Sequence, residues 1–350
     1  MKVNSFLESF PTNSLSWDEL TFDGGQTKNI HYGLIHKGLP VITNTNDERI
    51  PFLKNENASR KRELVKSGDI IFADASEDYE GVAQAIEIGN VINPTISGLH
   101  TIHTREKDYE FSRGFKGYLF NSPTFKKQVK VLAVGTKVNS ISFKNFKDVT
   151  VSFPRSHEEQ HKVFKLLHSI DNRIEMQRKL IDSYKSLIMG LIDVEFSDTH
   201  NIFVPLGKSL IEVSNRNKLL QNLKVLSVSN TQGFINQTDQ FDGRNIASEN
   251  TSNYKIVSKG DFAYNPARIN VGSISRLKHI ERGIISPMYV CFKVVEASFY
   301  AEYFDWFLKS TRFRKELITK LEGSVRQVLS FNDLTTIKLA VQSKEQQMMF

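Results

Sequence analysis

Between positions 154 and 195 the chain has one good option, a single long helix. Apolar residues at Val163, Leu167, Ile170, Ile174, Ile181, Tyr184, Ile188 and Leu191 recur at alternating steps of four and three, with Gln177 filling the one gap. That alternation is a heptad seam. Pro154 blocks earlier helix, and Ser156 with Glu159 makes an S-x-x-E capping box at the start. A helix from 157 to 191 would run about 50 Å at 1.5 Å per residue. Its length and strict register favour a coiled-coil arm over an ordinary amphipathic core helix.

The 350 residues leave room for a core on each side of that arm. A net charge of +7 and a pI near 9.2 are compatible with a polyanionic partner but select none. Cys291, the one cysteine, sits in the apolar run 288–292, which predicts a buried, inert thiol in a reducing compartment. No basic and then apolar leader precedes Ser5, and no apolar run reaches membrane-spanning length, so a cytoplasmic protein with no membrane partner is expected. A mean hydropathy of −0.33 with 11% aromatic residues argues for folded domains.

Ahead of the arm, strands are predicted at 39–43, 70–73, 82–88, 101–104 and 149–153, and a mostly helical stretch at 111–134, broken at Ser122-Pro123. After the arm the same order returns. Lys259-Gly260-Asp261 repeats Ser67-Gly68-Asp69 (260 − 68 gives 192). Ser310 and Phe313 match Ser122 and Phe125, and the stretch 323–331 repeats 135–143. Ser343-Lys344-Glu345-Gln346-Gln347 repeats Ser156-His157-Glu158-Glu159-Gln160 (343 − 156 gives 187). The expected class is therefore α+β, with two similar domains separated by a long heptad (coiled-coil) helix. The expected bounds are 1–153, 154–195 for the central helix, 196–340, and 341–350 for the start of a second helix.

This layout resembles the specificity subunit of type I restriction–modification systems. The residues that carry the likeness are 135–143 running into 154–160, the heptads to Leu191, and the second copy at 323–347. The resemblance implies two target-recognition domains held apart by a helical spacer, reading a bipartite DNA target with an unread gap. It implies double-stranded DNA, methyltransferase (modification) subunits and, through them, restriction/translocase subunits as partners, with no catalysis and no cofactor of its own. One feature departs from the family. Val163 corresponds to Phe350, so the second helix stops at its first seam residue. Each Leu or Ile left unburied on the first helix forgoes roughly 1.5–3 kcal/mol. Either a truncated chain or a homodimer through the central helix is expected to account for that.

Base-reading residues belong on loops carried by a rigid framework. In the second domain the loop 264–272 offers Asn265, Arg268 and Asn270, side chains suited to adenine and guanine edges. Arg276 and Lys278 follow as candidate phosphate contacts. The matching loop of the first domain, 74–81, is acidic, and a solvent or protein-facing role is expected for most of it. Lys137 and Asn139, with their repeats Arg326 and Gln327, sit in corresponding loops after a helix and are candidates for phosphate or base contact.

Catalytic readings fare worse. Asn265-Pro266-Ala267-Arg268 lacks the second proline and the aromatic that an N-P-P-aromatic adenine methyltransferase uses to stack a flipped base. Asp23-Gly24-Gly25 is a lone turn with no glycine-rich nucleotide loop around it. His100 and His103, on one predicted strand, point to opposite faces and make poor joint metal ligands. One cysteine excludes a thiolate zinc site. Asp69 and Asp261 repeat after glycine and before a strand, which argues for turn geometry. The remaining alternatives are the recognition part of a fused restriction–methylation enzyme and a coiled-coil protein-interaction scaffold.

Overall fold

The computed structural model describes residues 1–59, 62–78, 80–108, 110–133, 135, 138–197, 203–237, 250–295, 298–321 and 328–350. The chain divides into two compact units, Met1–Gln177 and Arg178–Phe350. The division falls inside the helix His157–Glu195, and not at the ends of the expected spacer.

In the first unit the repeated Gly-Asp turn sets up the central strand. Gly68 takes a φ of 89°, and an Asp69 oxygen accepts the Lys66 amide at 2.7 Å. The strand Ile70–Ala73 that follows is buried throughout. Ile70 and Phe72 enter a core with Phe6, Phe120, Phe125 and Val129, while Ile71 and Ala73 enter another with Ile35, Ile86 and Ile88. That strand lies in a five-stranded sheet ordered Leu7–Phe10, Thr101–Glu106, Ile70–Ala73, Ala85–Ile88, Ile42–Thr43. A second sheet runs Leu20–Thr21, Phe52–Leu53, Lys28–Ile30, Thr95–Ser97, its last pair parallel. The broken helical stretch is Phe115–Leu119 and Pro123–Leu132, the latter capped where the Ser122 hydroxyl accepts the Phe125 amide. The expected strand at 149–153 is not a regular strand. It is an extended segment bound to the amino terminus, through Val3 N–H to Val149 O at 3.0 Å and Val151 N–H to Met1 O at 2.9 Å.

The second unit repeats this plan. Gly260 has a φ of 95°, and an Asp261 oxygen accepts the Ser258 amide at 2.7 Å. One sheet is ordered Leu210–Glu212, Val290–Val294, Phe262–Tyr264, Ile274–Arg276. The other is ordered Gly233–Asn236, Val225–Ser229, Arg282–Ile285, Lys255–Ser258, again with a parallel pair, Val225–Ser229 against Arg282–Ile285. Strand registers agree as well. Ala263 faces Cys291 where Ile71 faces His103, giving offsets of 192 (263 − 71) and 188 (291 − 103). Ser310 caps Thr311–Lys320 as Ser122 caps Pro123–Leu132. Cys291 is fully buried, and burial pushes its thiol up to about 12.

Both helix-start motifs do the same structural job, through a buried glutamine. Gln160 accepts the Ser112 amide at 2.9 Å and donates to Pro154 O at 2.8 Å. Gln347 accepts the Tyr300 amide at 3.1 Å and donates to Gln342 O and Ser298 O. Burial makes each amide costly to lose.

The long helix is anchored by faces other than its seam. In the first unit Phe164 packs on the core and stacks on His168, and Asp171 accepts the Tyr118 hydroxyl at 2.8 Å. In the second, Ile192 and the following Phe196 are buried, Glu195 accepts the Tyr303 hydroxyl at 2.7 Å, and Asp193 accepts both the amide and hydroxyl of Thr311. The seam residues Val163, Ile170, Ile174, Ile181, Tyr184, Ile188 and Leu191 are all exposed, by 38% at Val163 and 56% at Tyr184, and Leu167 is half-buried.

Candidate nucleic-acid interface

In the second unit the strand Phe262–Tyr264 ends at Asn265, where the chain turns to reach Ile274–Arg276. Asn265 shapes that turn. Its side-chain oxygen accepts the Ala267 amide at 3.1 Å, its own amide donates to Ser273 O at 3.1 Å, and only 7% of it is exposed. The Arg268 carbonyl accepts the amides of Val271 and Ser273, which fixes the loop around it. Its guanidinium is exposed and, among the described residues, makes no hydrogen bond or ion pair. It stands at the mouth of a polar concavity lined with Ser229, Asn265, Ser273, Ser286 and Met288. Asn270, also exposed, opens onto an adjoining groove with Asn230, Lys309 and Arg314.

The other expected contacts are placed differently. Arg276 donates to Glu302 at 2.5 Å, and Lys278 pairs with Asp305 at 2.5 Å, so both cations are already matched within the fold. Asn139 is 6% exposed, on a short strand opposite Ser76, which leaves little of its side chain to meet a nucleotide. Lys137, Arg326 and Gln327 lie outside the described residues.

The first unit carries a cluster that sequence spacing did not bring together. Tyr32 meets His36 and His100 edge-on, with ring centroids 5.9 and 5.2 Å apart. His100 is not on a strand, as expected, but in the turn before Thr101–Glu106, and its Nδ1 lies 3.1 Å from an Asp74 oxygen. Burial pushes the Asp74 carboxyl up, and His100 pulls it back. Nearby, Trp17 stacks on His31, which burial holds down at about 4. His103, the second predicted histidine, is wholly buried against Asp69 at 2.7 Å.

Residues 31–183 match the family model described as the type I restriction modification DNA specificity domain. Over that span the chain is similar to type I specificity domains. A curated relative, the specificity subunit of the type I restriction enzyme MjaVIII from Methanocaldococcus jannaschii, is 30% identical over 149 residues. Those residues are 41% of this chain and 35% of the relative, so the chain spans about a third of the curated relative it matches. Two solved structures share the fold. The S subunit of a type I restriction-modification system from M. genitalium has a TM-score of 0.53 at 15% identity, covering 99% of this chain and 85% of that one. A chain solved for complex assembly and conformational transition of the type I R-M system has a TM-score of 0.54 at 14% identity, covering 100% and 87%. At those identities the likeness concerns the fold alone. The matched span runs from the His31–Tyr32 corner into the long helix. No helix among the described residues is long and apolar enough to cross a membrane, and no group of three or more His, Cys, Asp or Glu among them is placed to hold a metal ion.

Proposed function

We propose that this chain is a non-catalytic DNA-recognition subunit that reads a bipartite duplex target, one half-site per unit, and directs methyltransferase and restriction subunits to it. The observation that carries the reading is the exposed Arg268 guanidinium, which has no hydrogen bond or ion pair among the described residues, beside a concavity on a fold duplicated within one chain. A free, loop-borne arginine is suited to two-point contact with guanine O6 and N7. The helix His157–Glu195, about 58 Å long at 1.5 Å per residue, is suited to act as a spacer of about one and a half turns of B-DNA or slightly more.

A salt series on the full chain with a labelled duplex pool tests this. Binding is expected to weaken steeply with salt and to resist random competitor. Arg268→Ala is expected to weaken one half-site by about 1–3 kcal/mol. Indifference to DNA, with methyltransferase subunits present, would leave a protein-interaction scaffold as the better reading.

We assign the exposed seam from Val163 to Leu191 to pairing with a second helix of the same heptad kind, which a second copy of the chain supplies. Light scattering of the full chain at micromolar concentration measures this directly. A mass of one chain removes the assignment.

A further inference from the structure

Positions that line the concavity below Arg268 have counterparts in the first unit. The repeated Gly-Asp turn gives the offset of 192 (260 − 68), and the strand registers carry it to the neighbouring strand. Ala263 and Cys291 pair as Ile71 and His103 do, so Asn265 corresponds to Ala73 (265 − 192) and Met288 to His100 (288 − 188). The parallel pairs align too: Leu226 faces Ile285 where Ile30 faces Ser97, which puts Ser227 and Val228 on His31 and Tyr32. The positions of Ser227, Val228, Asn265 and Met288 in one unit are therefore taken by His31, Tyr32, Ala73 and His100 in the other, with Asp74 next along the chain from Ala73.

Of the four acids in this loop Asp74 is the half-buried one, and the other three are exposed. Asp78 is taken by the Gly81 amide at 2.7 Å, Glu80 engages Lys130, and Glu77 is exposed. Asp74 is fixed on both sides. Its amide donates to His100 O at 3.0 Å, and its carbonyl accepts the Ile141 amide at 2.8 Å. One carboxylate oxygen meets His100 Nδ1 at 3.1 Å, and among the described residues the other has no hydrogen-bond partner. His100 is held in turn by Tyr32, at a φ of 52° that few non-glycine residues adopt. A carboxylate 28% exposed and oriented in this way is a preorganised acceptor, and acceptors match exocyclic amino groups in the major groove.

We infer that the first unit reads its share of a duplex through the Asp74–His100 pair, with Asp74 accepting a hydrogen bond from a base amino group, cytosine N4 before adenine N6. This rests on the recognition role proposed above, and it gives the two units different chemistries: an arginine donor in one and an aspartate acceptor in the other.

The test is selection of bound sequences from a random duplex pool by the full chain, alongside Asp74→Asn, Asp78→Asn and Arg268→Ala, with a thermal melt of each. An asparagine amide favours adenine. Asp74→Asn is expected to move one position from cytosine toward adenine, with roughly ten-fold weaker binding to the parent sequence. That position should lie in a stretch other than the one altered by Arg268→Ala, and Asp78→Asn should change nothing. Unchanged sequences and affinity with Asp74→Asn overturn the assignment, while an Arg268→Ala effect leaves the recognition role standing. Complete loss of enrichment by an Asp74→Asn chain that melts like the parent also overturns it, since one base contact accounts for at most about a hundred-fold. No enrichment by the parent chain defeats both readings. Should Asp74→Asn melt early, His100→Asn, which suits the left-handed backbone, takes its place, and the same position is expected to lose its preference.

Discussion

Replacing Asp69 with alanine is expected to destabilise the first unit by about 3–5 kcal/mol, the cost of leaving buried partners uncompensated. Asp69 is 1% exposed and holds three groups at once: His103 Nε2 at 2.7 Å, Arg105 through two nitrogens at 2.8 Å each, and the Lys66 amide. Without the carboxylate, His103 has no partner on either ring nitrogen, since its Nδ1 already has none. Arg105 keeps Glu63 and the Leu64 carbonyl. The measurement is denaturant unfolding followed through Trp17, in a Trp306→Phe background, since the two tryptophans lie one in each unit. A loss under about 1 kcal/mol would mean that the network contributes no more than an exposed ion pair.

The same group sets a pH dependence. Burial alone would push Asp69 up, but hydrogen bonds from His103, Arg105 and the Lys66 amide outweigh it and hold the carboxyl below its usual range. A carboxyl lowered by folding contributes stability that is present above its ordinary value near about 4 and is lost as pH falls through the folded value. The gap between the parent and Asp69→Asn is therefore expected to be full at neutral pH and to close in acid. Glu87 works in the other direction: burial raises it, against Lys116 and the amides of Gly114 and Gly117. For this reason the difference between the two proteins is the informative quantity, and not either curve alone.

The second large effect is expected at Phe196. Its ring is fully buried beyond the end of the long helix, with ring centroids 4.8 Å from Tyr303, 5.3 Å from Phe307 and 6.1 Å from Phe350. Phe196→Ala removes a large side chain from a packed aromatic cluster, at an expected cost of about 3–5 kcal/mol. Trp306, edge-on to Phe350 at 6.4 Å, reports on that cluster. Its transition should move, in a Trp17→Phe background, while that of Trp17, followed in the Trp306→Phe background, should not. Equal shifts of both transitions would mean that Phe196 supports more than the second unit.

The parts of this molecule that were legible in its sequence are governed by short-range rules. The Gly-Asp turns, the Ser122 and Ser310 caps and the helix His157–Glu195 are each decided within a few residues or by a period. The duplication extended that reach, because a weak local pattern seen twice in order is no longer weak. What sequence could not supply was pairing across distance. Nothing near Asp69 announces His103 and Arg105, which strand register brings to it. Arg276 reads as a free cation until its strand places it beside Glu302. Asn139 reads as a loop residue until it pairs with Ser76. The glutamines of the two helix starts were visible as a repeat, but their burial was not. Asp74 was hidden among neighbouring acids, and only the fold half-buries it against His100.

The central claim, two readers at a separation set by one helix, is tested most directly by a gap-length series. Duplexes carrying the two selected stretches would be made with the intervening length changed one base pair at a time, and the affinity of the full chain measured at fixed salt. One base pair shifts a half-site along and around the duplex, so a fixed spacer is expected to give a single sharp optimum, with at least roughly ten-fold weaker binding one step either side. Affinity that stays level across several lengths, or one contiguous stretch that suffices for full binding, would contradict it.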